Sequence, residues 1–380
     1  MGLKVFLIGV GRAGCRIAHL FLTSQKENIS GVLIDTDEAD LAFLKYRYRI
    51  LASEGMLSGE GAGKDLKLGV EALVADQYGI IEKITRIKEE VDCFFVVSAL
   101  GGGTGGAAWV VLEELKKNFI EPVYYIGLLP SSEDLPVVTV NAARSLRETV
   151  KHCDAFFPIH MDSFKDTLRL KGSYSSVNNR IFTYFQPLFQ IGEFRGRRDI
   201  GENAVDFSDL VKTLKGLSVI GLGGQNLEVE PSSDRPETVI MLTKKAMEST
   251  TLPVNLGDVQ KALVVVLGDR RYLDFIGSIP ARLWAEKKIG GREVRGGDMP
   301  LSKKGEVKVL TVLSEIRKSE EIVRLYQKSE ILKGGELDLE RLSEAAERIK
   351  EIGSGLAGLQ RELGETYREL KGLVRRDGPP

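Results

Sequence analysis

The sequence has little of what builds disulfide-bonded, zinc-bound or membrane-spanning proteins. It holds three cysteines and three histidines in 380 residues. Cys15, Cys93 and Cys153 lie far apart, so neither a disulfide framework nor a zinc site is predicted. No run of about 18 apolar residues occurs, and the first predicted strand, at residues 3–8, begins too early and is too short for a secretory signal. These features predict a cytoplasmic protein with no direct insertion into a membrane.

An excess of charge of one sign is also missing. The chain has 53 lysines and arginines against 54 aspartates and glutamates, for a net charge of −1. This balance gives no general electrostatic attraction for nucleic acid, and we expect no nucleic-acid partner. The 43% of hydrophobic residues is typical of a globular protein, and the length is sufficient for two domains.

Glycine, by contrast, is abundant and is concentrated at sites of one kind. The densest glycine run, in Ser98–Ala108, follows the apolar residues Cys93–Val97 and leads into a predicted helix at Ala107–Lys117. Glycine allows the backbone to approach an anion closely, and a helix N-terminus offers unpaired N–H groups. Thr104 adds a hydroxyl. The pattern predicts a phosphate-binding turn more strongly than a purely structural one.

A second glycine-rich turn lies near the start of the chain. Gly9–Gly14 has the spacing G-x-G-x-x-G between a predicted strand at residues 4–8 and a predicted helix at residues 15–22. A second strand at residues 31–34 ends in Asp35-Thr36-Asp37. Taken alone, these residues indicate a dinucleotide-binding enzyme that uses NAD.

A third glycine-rich turn, Ser58–Asp65, is not a P-loop. Ser58 stands where a P-loop needs glycine, and Asp65 stands where it needs a serine or threonine for magnesium. Helices and strands then alternate, which predicts an α/β fold with a mostly parallel sheet and ligands at the carboxyl ends of its strands. The predicted elements are helices at 68–78, 80–90 and 138–152 and strands at 93–97, 123–129 and 155–159.

The second half of the chain predicts a long central helix and a smaller domain. Apolar residues keep a helical period over residues 174–192, with Pro187 expected to kink the helix. A change of composition after Pro231–Pro236 indicates a second α/β domain. Its predicted elements are helices at 237–249, 254–262 and 272–286 and strands at 262–267 and 306–313.

The last part of the chain is charged and helical. Leu342, Ile349, Leu356, Leu363 and Leu370 recur at seven-residue spacing, each followed three residues later by a second mostly apolar position. This stripe, within residues 337–374, indicates a helix-mediated contact either between chains or with the protein's own body. The predicted regions are a nucleotide-binding domain (1–172), a central helix and loop (173–230), an α/β domain (231–315) and a helical, coiled-coil-like extension (316–380).

Together these glycine turns resemble the tubulin/FtsZ superfamily, whose signature G-G-G-T-G-x-G is approached by Gly101–Ala107. The resemblance can be followed to about Leu313. Within the superfamily the sequence is most similar to archaeal CetZ-type proteins, judging from Thr139–Ala143 and Val309–Ile316. It implies a Rossmann-like parallel-sheet GTPase domain, a long central helix, a smaller α/β C-terminal domain and a helical C-terminal extension.

The resemblance also implies a bound guanine nucleotide, GTP or GDP, together with Mg²⁺. Tyr174 would stack on guanine, Asn178 would hydrogen-bond its edge, and the third glycine turn would close over the γ-phosphate. No residue is assigned as a metal ligand. The residues implied in nucleotide binding are Gly9, Gly11, Arg12, Ala13, Gly14, Asp35, Gly61, Ala62, Gly63, Gly101, Gly102, Gly103, Thr104, Gly105, Asp134, Tyr174 and Asn178.

Asp206 and Asp209 are implied as the catalytic residues. They lie in Val205–Asp209, which resembles the loop that supplies carboxylates to the nucleotide of the next subunit. Since a head-to-tail contact of this kind does not close on itself, it generates a filament. The implied function is a cytoskeletal GTPase whose main partner is itself and which hydrolyses GTP at the subunit interface.

Three departures from the family pattern bear on nucleotide affinity and guanine selectivity, and two other functions stay open, one from these departures and one from Gly9–Gly14 and Asp35. Ala107 replaces the last glycine of the signature and adds a methyl group near the phosphates. No arginine stands near Val137–Val138 to meet the ribose, and Met161 stands where the family usually has an asparagine. One alternative is therefore a nucleotide-binding filament or switch with little hydrolysis. The other, a dinucleotide-dependent oxidoreductase, is disfavoured by the triple-glycine turn and the aspartate pair.

Overall fold

The computed structural model shows an α/β fold built on two sheets that are joined by a long helix. The described residues are 3–24, 27–166, 174–192, 205, 207–226, 236–270, 273, 277–300 and 305–332. Residues 337–374, with the heptad stripe, and Asp206 lie outside them.

The larger sheet has seven strands in the order β3-β2-β1-β4-β5-β6-β7. Every neighbouring pair in this sheet is parallel. Its strands are β1 (Val5–Val10), β2 (Ile29–Asp35), β3 (Arg49–Leu51), β4 (Cys93–Ala99), β5 (Val123–Leu129), β6 (Ala155–His160) and β7 (Gly216–Leu217).

Helices cover both faces of this sheet, so its central strands are apolar throughout. In β1, Phe6 and Ile8 belong to one core cluster and Val5 and Leu7 to the other, and none of the four is exposed. The helices of this part are α1 (Gly11–Leu22), α2 (Glu38–Phe43), α3 (Glu54–Leu57), α4 (Leu66–Ile87), α5 (Trp109–Asn118), α6 (Pro136–Thr149) and α7 (Tyr174–Phe189), with 3-10 turns at Gly106–Ala108 and Met161–Phe164.

The smaller sheet has four strands in the order β10-β9-β11-β8. β10 pairs with β9 in parallel, whereas β11 is antiparallel to both β9 and β8. Its strands are β8 (Val219–Asn226), β9 (Lys261–Gly268), β10 (Glu293–Pro300) and β11 (Glu306–Ser314), and the accompanying helices are α8 (Phe207–Thr213), α9 (Pro236–Glu248), α10 (Ile279–Lys288) and α11 (Glu320–Leu332).

The predicted central helix is confirmed as α7, which contains Pro187. It packs along α1, where the ring of Phe21 lies 4.6 Å from that of Phe182 and 5.0 Å from that of Phe189, centroid to centroid. The predicted fold class, a parallel α/β domain, a central helix and a smaller α/β domain, is likewise confirmed. The predicted domain boundaries stay a prediction.

Several predicted elements were wrong. The two helices at 68–78 and 80–90 are one helix, α4, which continues through Gly79, because a single glycine inside a helix costs only about 1 kcal/mol relative to alanine. Residues 254–262 form only a 3-10 turn, Leu256–Asp258, before β9 begins at Lys261. The helix predicted at 272–286 is interrupted at residues 277–278 and continues as α10 from Ile279; Leu273 is helical, and residues 272 and 274–276 lie outside the described residues.

No helix among the described residues is both long enough and apolar enough to cross a bilayer.

Candidate functional site

The candidate site lies at the carboxyl edge of the larger sheet, where the parallel strands β1, β2, β4 and β5 end side by side. At the end of β1 the chain enters α1 directly at Gly11, whose φ of +71° favours glycine. No side chain caps the N-terminus of α1, and its first turn has no acidic residue. The first-turn N–H groups of α1 therefore remain available to an anion.

The central glycine loop packs directly against this helix start. A Cβ on Gly11 would lie 2.7 Å from the amide nitrogen of Gly105, and a Cβ on Gly14 would lie 2.1 Å from the carbonyl oxygen of Val97. The Ser98 hydroxyl, in β4, donates to the Gly105 carbonyl at 2.7 Å and so holds the central loop against the end of its own strand. Within the described chain, the backbone N–H groups of Gly103, Thr104 and Gly105 have no acceptor. The two loops thus form one cradle of backbone donors.

The second loop joins this cradle through two hydroxyls. Thr36 and Thr104 are buried, and their Oγ1 atoms lie 2.6 Å apart. Next to them, the buried carboxyl of Asp35 accepts the Thr36 N–H at 2.8 Å through Oδ1. Among the described residues its Oδ2 has no partner. Burial raises the pKa of Asp35 to about 7, because it removes the charged form from water.

Arg12 and Ala13, also predicted to bind nucleotide, lie in the first turn of α1. Arg12 pairs with Asp40 of α2 and lies 3.6 Å from Asp37, so its guanidinium is held by the second loop in this structure. Ala13 packs against one of the core clusters. These contacts connect the first and second loops without placing Arg12 among the free donors.

The third loop closes the other side of the cradle. Gly61, Gly63 and Lys64 all have positive φ, at +76°, +52° and +68°. The Gly61 N–H donates to the Thr36 carbonyl at 3.1 Å. A Cβ on Gly103 would lie 2.8 Å from both Ala62 Cβ and the Asp65 carbonyl oxygen, so the third and central loops are in direct contact.

Asn141 of α6 connects these two loops, a role that its sequence context did not predict. Its Nδ2 donates to the Lys64 carbonyl at 2.8 Å and to the Gly101 carbonyl at 3.4 Å. Asn141 is only 4% exposed. A buried amide is costly unless it is hydrogen-bonded, so an asparagine inside an apolar helix face was the one signal that could have identified it.

Asp134 lies in the loop between β5 and α6. Its Oδ2 accepts the Ser131 N–H at 2.7 Å, and its own N–H donates to the Ser131 carbonyl at 3.2 Å. In this structure Asp134 therefore stabilises its own turn. Gly101 is held against α6, since a Cβ there would lie 2.3 Å from Val138 Cγ1.

Tyr174 and Asn178 lie in the first turns of α7, on the same side of the molecule as the cradle. Since a helix rises about 1.5 Å per residue, the two lie about 12 and 6 Å before Phe182, towards the start of the neighbouring α1. Tyr174 is 60% exposed and Asn178 is half-buried. An exposed ring at this position is available for stacking.

Two of the departures from the family pattern are placed by the structure. Ala107 is fully buried in the core, and its N–H donates to the carbonyls of Gly103 and Thr104 at 3.2 and 3.1 Å. Its methyl group therefore packs into the protein instead of crowding the cradle. Met161 is partly buried and packs against the core on the side of α7.

Asp209 lies at the opposite edge of the sheet. The end of α7 meets the start of β1, where the Leu3 N–H donates to the Ile191 carbonyl at 3.0 Å. α8, with Asp209, leads to β7, which pairs with Ala155 at the first residue of β6. The six residues of β6, at about 3.3 Å each, separate this edge from the cradle by about 20 Å. One subunit does not bring Asp209 to its own cradle.

No cage for a metal ion is present among the described residues, where no three His, Cys, Asp or Glu side chains converge. This fits Mg²⁺, which usually retains waters and binds to substrate phosphates with one or two carboxylates. The unpartnered Oδ2 of Asp35 is a buried oxygen at the cradle that suits a hard cation or a hydroxyl donor. The residues present are thus compatible with a phosphate-bound magnesium ion.

Comparison with known proteins identifies the family of both parts of the fold. Residues 4–169 match the GTPase domain of the tubulin/FtsZ family, and residues 168–330 match the C-terminal domain of tubulin-like CetZ proteins. Tubulin-like protein CetZ1 of Haloferax volcanii is 31% identical over 360 residues, which cover 86% of this chain and 91% of that protein.

Solved structures agree. A GDP-bound monomer of CetZ1 from Haloferax volcanii superposes with a TM-score of 0.78 at 31% identity and covers 87% of this chain and 100% of its own. A GTPγS-bound protofilament of CetZ2 from the same organism has a TM-score of 0.78 at 29% identity and covers 87% and 98%. This chain belongs to the CetZ family of tubulin-like proteins, within the tubulin/FtsZ superfamily.

Proposed function

We propose that this protein is a cytoskeletal GTPase that assembles head to tail into filaments and hydrolyses GTP at the interface between subunits. The observation that carries the proposal is the separation of the two halves of the site. The glycine cradle lies at one edge of the larger sheet, and Asp209 lies at the other edge. Stacking one subunit on the next is the arrangement that brings both to one nucleotide.

The cradle supplies nucleotide binding. The backbone donors of Gly103, Thr104 and Gly105 and the N-terminus of α1 bind the phosphates, and the third loop at Gly61–Gly63 meets the terminal phosphate. Tyr174 stacks on the base, and the amide of Asn178 pairs with the guanine edge. Asp35 accepts a hydrogen bond from the ribose, and Asp134 supports the turn beside it.

Mg²⁺ accompanies the nucleotide and neutralises charge on the phosphates when it is bound. The Thr104 hydroxyl, which lies in the cradle, is the side-chain oxygen of this chain that would help to hold the ion. Asp209 of the stacked subunit orients and deprotonates the attacking water, while the preorganised N–H groups stabilise the charge that develops on the phosphate oxygens. The catalytic role predicted for Asp206 stays a prediction, because this residue lies outside the described ones.

Membership of the CetZ family removes the oxidoreductase alternative. A filament with little hydrolysis is the second candidate. It is favoured by the missing arginine near Val137: the valine side chain is 46% exposed and, unlike an arginine, carries no charge that could meet the ribose. The helix-mediated contact through residues 337–374 and the cytoplasmic location stay predictions.

Calorimetry with GTP, GDP, ATP and NAD tests the binding half of the proposal. GTP and GDP should bind with similar enthalpy and far more tightly than ATP or NAD, because a guanine-specific amide leaves adenine mismatched. Equal or tighter binding of NAD or ATP would contradict it.

Asp209→Ala tests the hydrolytic half. The affinity of the monomer for GTP should stay within a few-fold of the parent, while turnover in the assembled state falls by about 10²-fold. Unchanged turnover in assembled Asp209→Ala protein would contradict the proposed role of the carboxylate.

A further inference from the structure

Asp209 is held by an arginine from a different element of the smaller domain. Arg295 of β10 lies with Nη1 2.8 Å from Asp209 Oδ1. The same guanidinium places its Nε and Nη2 on Glu293 Oε1, each at 2.6 Å. The plane of the guanidinium is therefore fixed by Glu293, and the remaining nitrogen is directed at Asp209.

Stability alone does not account for this pair. The side chains of Arg295 and Asp209 are 30% and 27% exposed. Partly exposed ion pairs typically contribute little to folding. The contact joins α8 to β10 across 86 positions of sequence. It fixes the direction of one carboxylate, and the proposed function needs that carboxylate fixed.

The net charge of Asp209, Glu293 and Arg295 is a second reason for an arginine at this position. Asp209, Glu293 and Arg295 together carry one net negative charge, and they would carry two without the arginine. A subunit that docks on a triphosphate brings this charge towards the phosphates, and like charges raise the cost of that contact. An arginine beside Asp209 lowers the repulsion while it leaves the carboxylate in place.

We propose that Arg295 is a positioning residue for hydrolysis: it orients the Asp209 carboxylate and offsets its charge at the contact with the next subunit's nucleotide. The proposal rests on the proposed function, because it assigns Arg295 a role through Asp209. Arg295 itself need not touch the nucleotide.

The test compares Arg295→Gln, Arg295→Lys and the parent by GTP turnover per sedimented subunit and by the affinity of the monomer for GTP. Arg295→Gln should lower turnover about tenfold and leave monomer affinity within about twofold, because the cradle is at the other edge. Arg295→Lys keeps the positive charge but not the planar guanidinium that bonds Glu293 and Asp209 at once, so its turnover should lie between those of Arg295→Gln and the parent. Arg324→Gln is the matched control, since Arg324 pairs, within the described part of the chain, only with Glu320 and Glu321 of its own helix, and it should match the parent.

Dependence on Asp209 is tested in the Asp209→Asn background. There Arg295→Gln should lower the residual turnover no further, because the group on which it acts is already removed. Parent turnover in assembled Arg295→Gln protein, or an additional tenfold loss in the Asp209→Asn background, would overturn the inference. A loss of monomer GTP affinity would also overturn it, as would a turnover loss fully explained by a lower melting temperature.

These outcomes separate the inference from the proposed function. If Asp209→Asn protein hydrolyses GTP at the parent rate, the shared-site function itself fails. If Asp209→Asn loses turnover and Arg295→Gln does not, only the role of Arg295 fails.

Discussion

The two ends of the larger sheet are built by different means. At the carboxyl edge the site is made mostly of backbone, and each loop joins adjacent elements of the chain. At the amino edge the site is one side chain, Asp209, held by Arg295 from a strand 86 residues away. In the proposed function the backbone cradle binds phosphate within one subunit, whereas Asp209 acts only on the nucleotide of the next subunit. The proposal therefore assigns binding to the carboxyl edge and catalysis to the contact between subunits.

Breaking the carboxyl edge alone should have the largest effect. Gly11→Ala places a methyl group 2.7 Å from the Gly105 nitrogen at a backbone φ of +71°. We expect GTP affinity to fall by about 100-fold or more, a loss of about 3 kcal/mol, because the first and central loops must separate. Calorimetry measures this loss.

Gly79→Ala is the matched control for that substitution. Gly79 lies inside α4 with open space around it, so alanine should raise stability by about 0.5–1 kcal/mol and leave GTP binding unchanged. If Gly11→Ala bound GTP as the control does, the close packing of the two loops would not matter for binding.

The second prediction concerns the pH dependence of stability that Asp35 gives to the carboxyl edge. The pKa of Asp35 is raised to about 7 in the folded chain and is about 4 when unfolded. Between these values the folded chain holds a proton that the unfolded chain has released, so this group's contribution to stability falls as pH rises from about 4 to about 7.

Asp35→Asn should remove that dependence. The quantity to compare is the unfolding free energy of the nucleotide-free variant minus that of the nucleotide-free parent. This difference should be about 2 kcal/mol larger at pH 8 than at pH 5. Urea unfolding at the two pH values measures the difference. A difference of the opposite sign, or none, would contradict the assignment of a buried neutral carboxyl at the cradle.

The third and smallest prediction concerns the link within the cradle. Asn141→Leu keeps the volume but leaves the Lys64 carbonyl without its donor, and it should weaken GTP binding about tenfold, or about 1.4 kcal/mol. Hydrogen exchange in the third loop should accelerate at the same time.

Thr139→Val is the control on the same helix. The buried Thr139 hydroxyl has no partner among the described residues, so its removal should change neither binding nor exchange. If both variants behaved alike, Asn141 would be only a core residue.

The sequence predicted those regions whose structure depends on neighbouring residues and missed those that depend on contacts between distant residues. The first and central glycine turns were located correctly because strand, turn and helix follow one another directly, whereas the third lies between α3 and α4. β8 and β10 were missed because glycine disfavours strands. Those glycines have packing reasons that lie elsewhere in the chain: a Cβ on Gly221 would lie 1.9 Å from the Ala246 carbonyl oxygen, and one on Gly296 would lie 1.8 Å from that of Val264.

The two positioning side chains were not predictable from sequence for a related reason. Asn141 reaches the third loop across 77 positions, and Arg295 reaches Asp209 across 86. Asn141 lies in Thr139–Ala143, which indicated the family but not this contact, and Arg295 belongs to no motif in the sequence analysis. The role of each is recognisable only when the fold brings its partner to it. Asp206, which the sequence also assigned to catalysis, stays a prediction.

Complementation between two inactive variants tests the shared site most directly. Gly11→Ala removes nucleotide binding and keeps Asp209, whereas Asp209→Ala keeps the cradle and removes the carboxylate. GTP turnover is measured for each variant alone and for an equal mixture, with co-sedimentation showing that both enter the polymer. Each alone should be nearly inactive, and the mixture should recover about a quarter of the parent rate, the share of contacts that join an intact cradle to an intact Asp209. Mixed polymer that is no more active than its components would contradict a site completed between subunits.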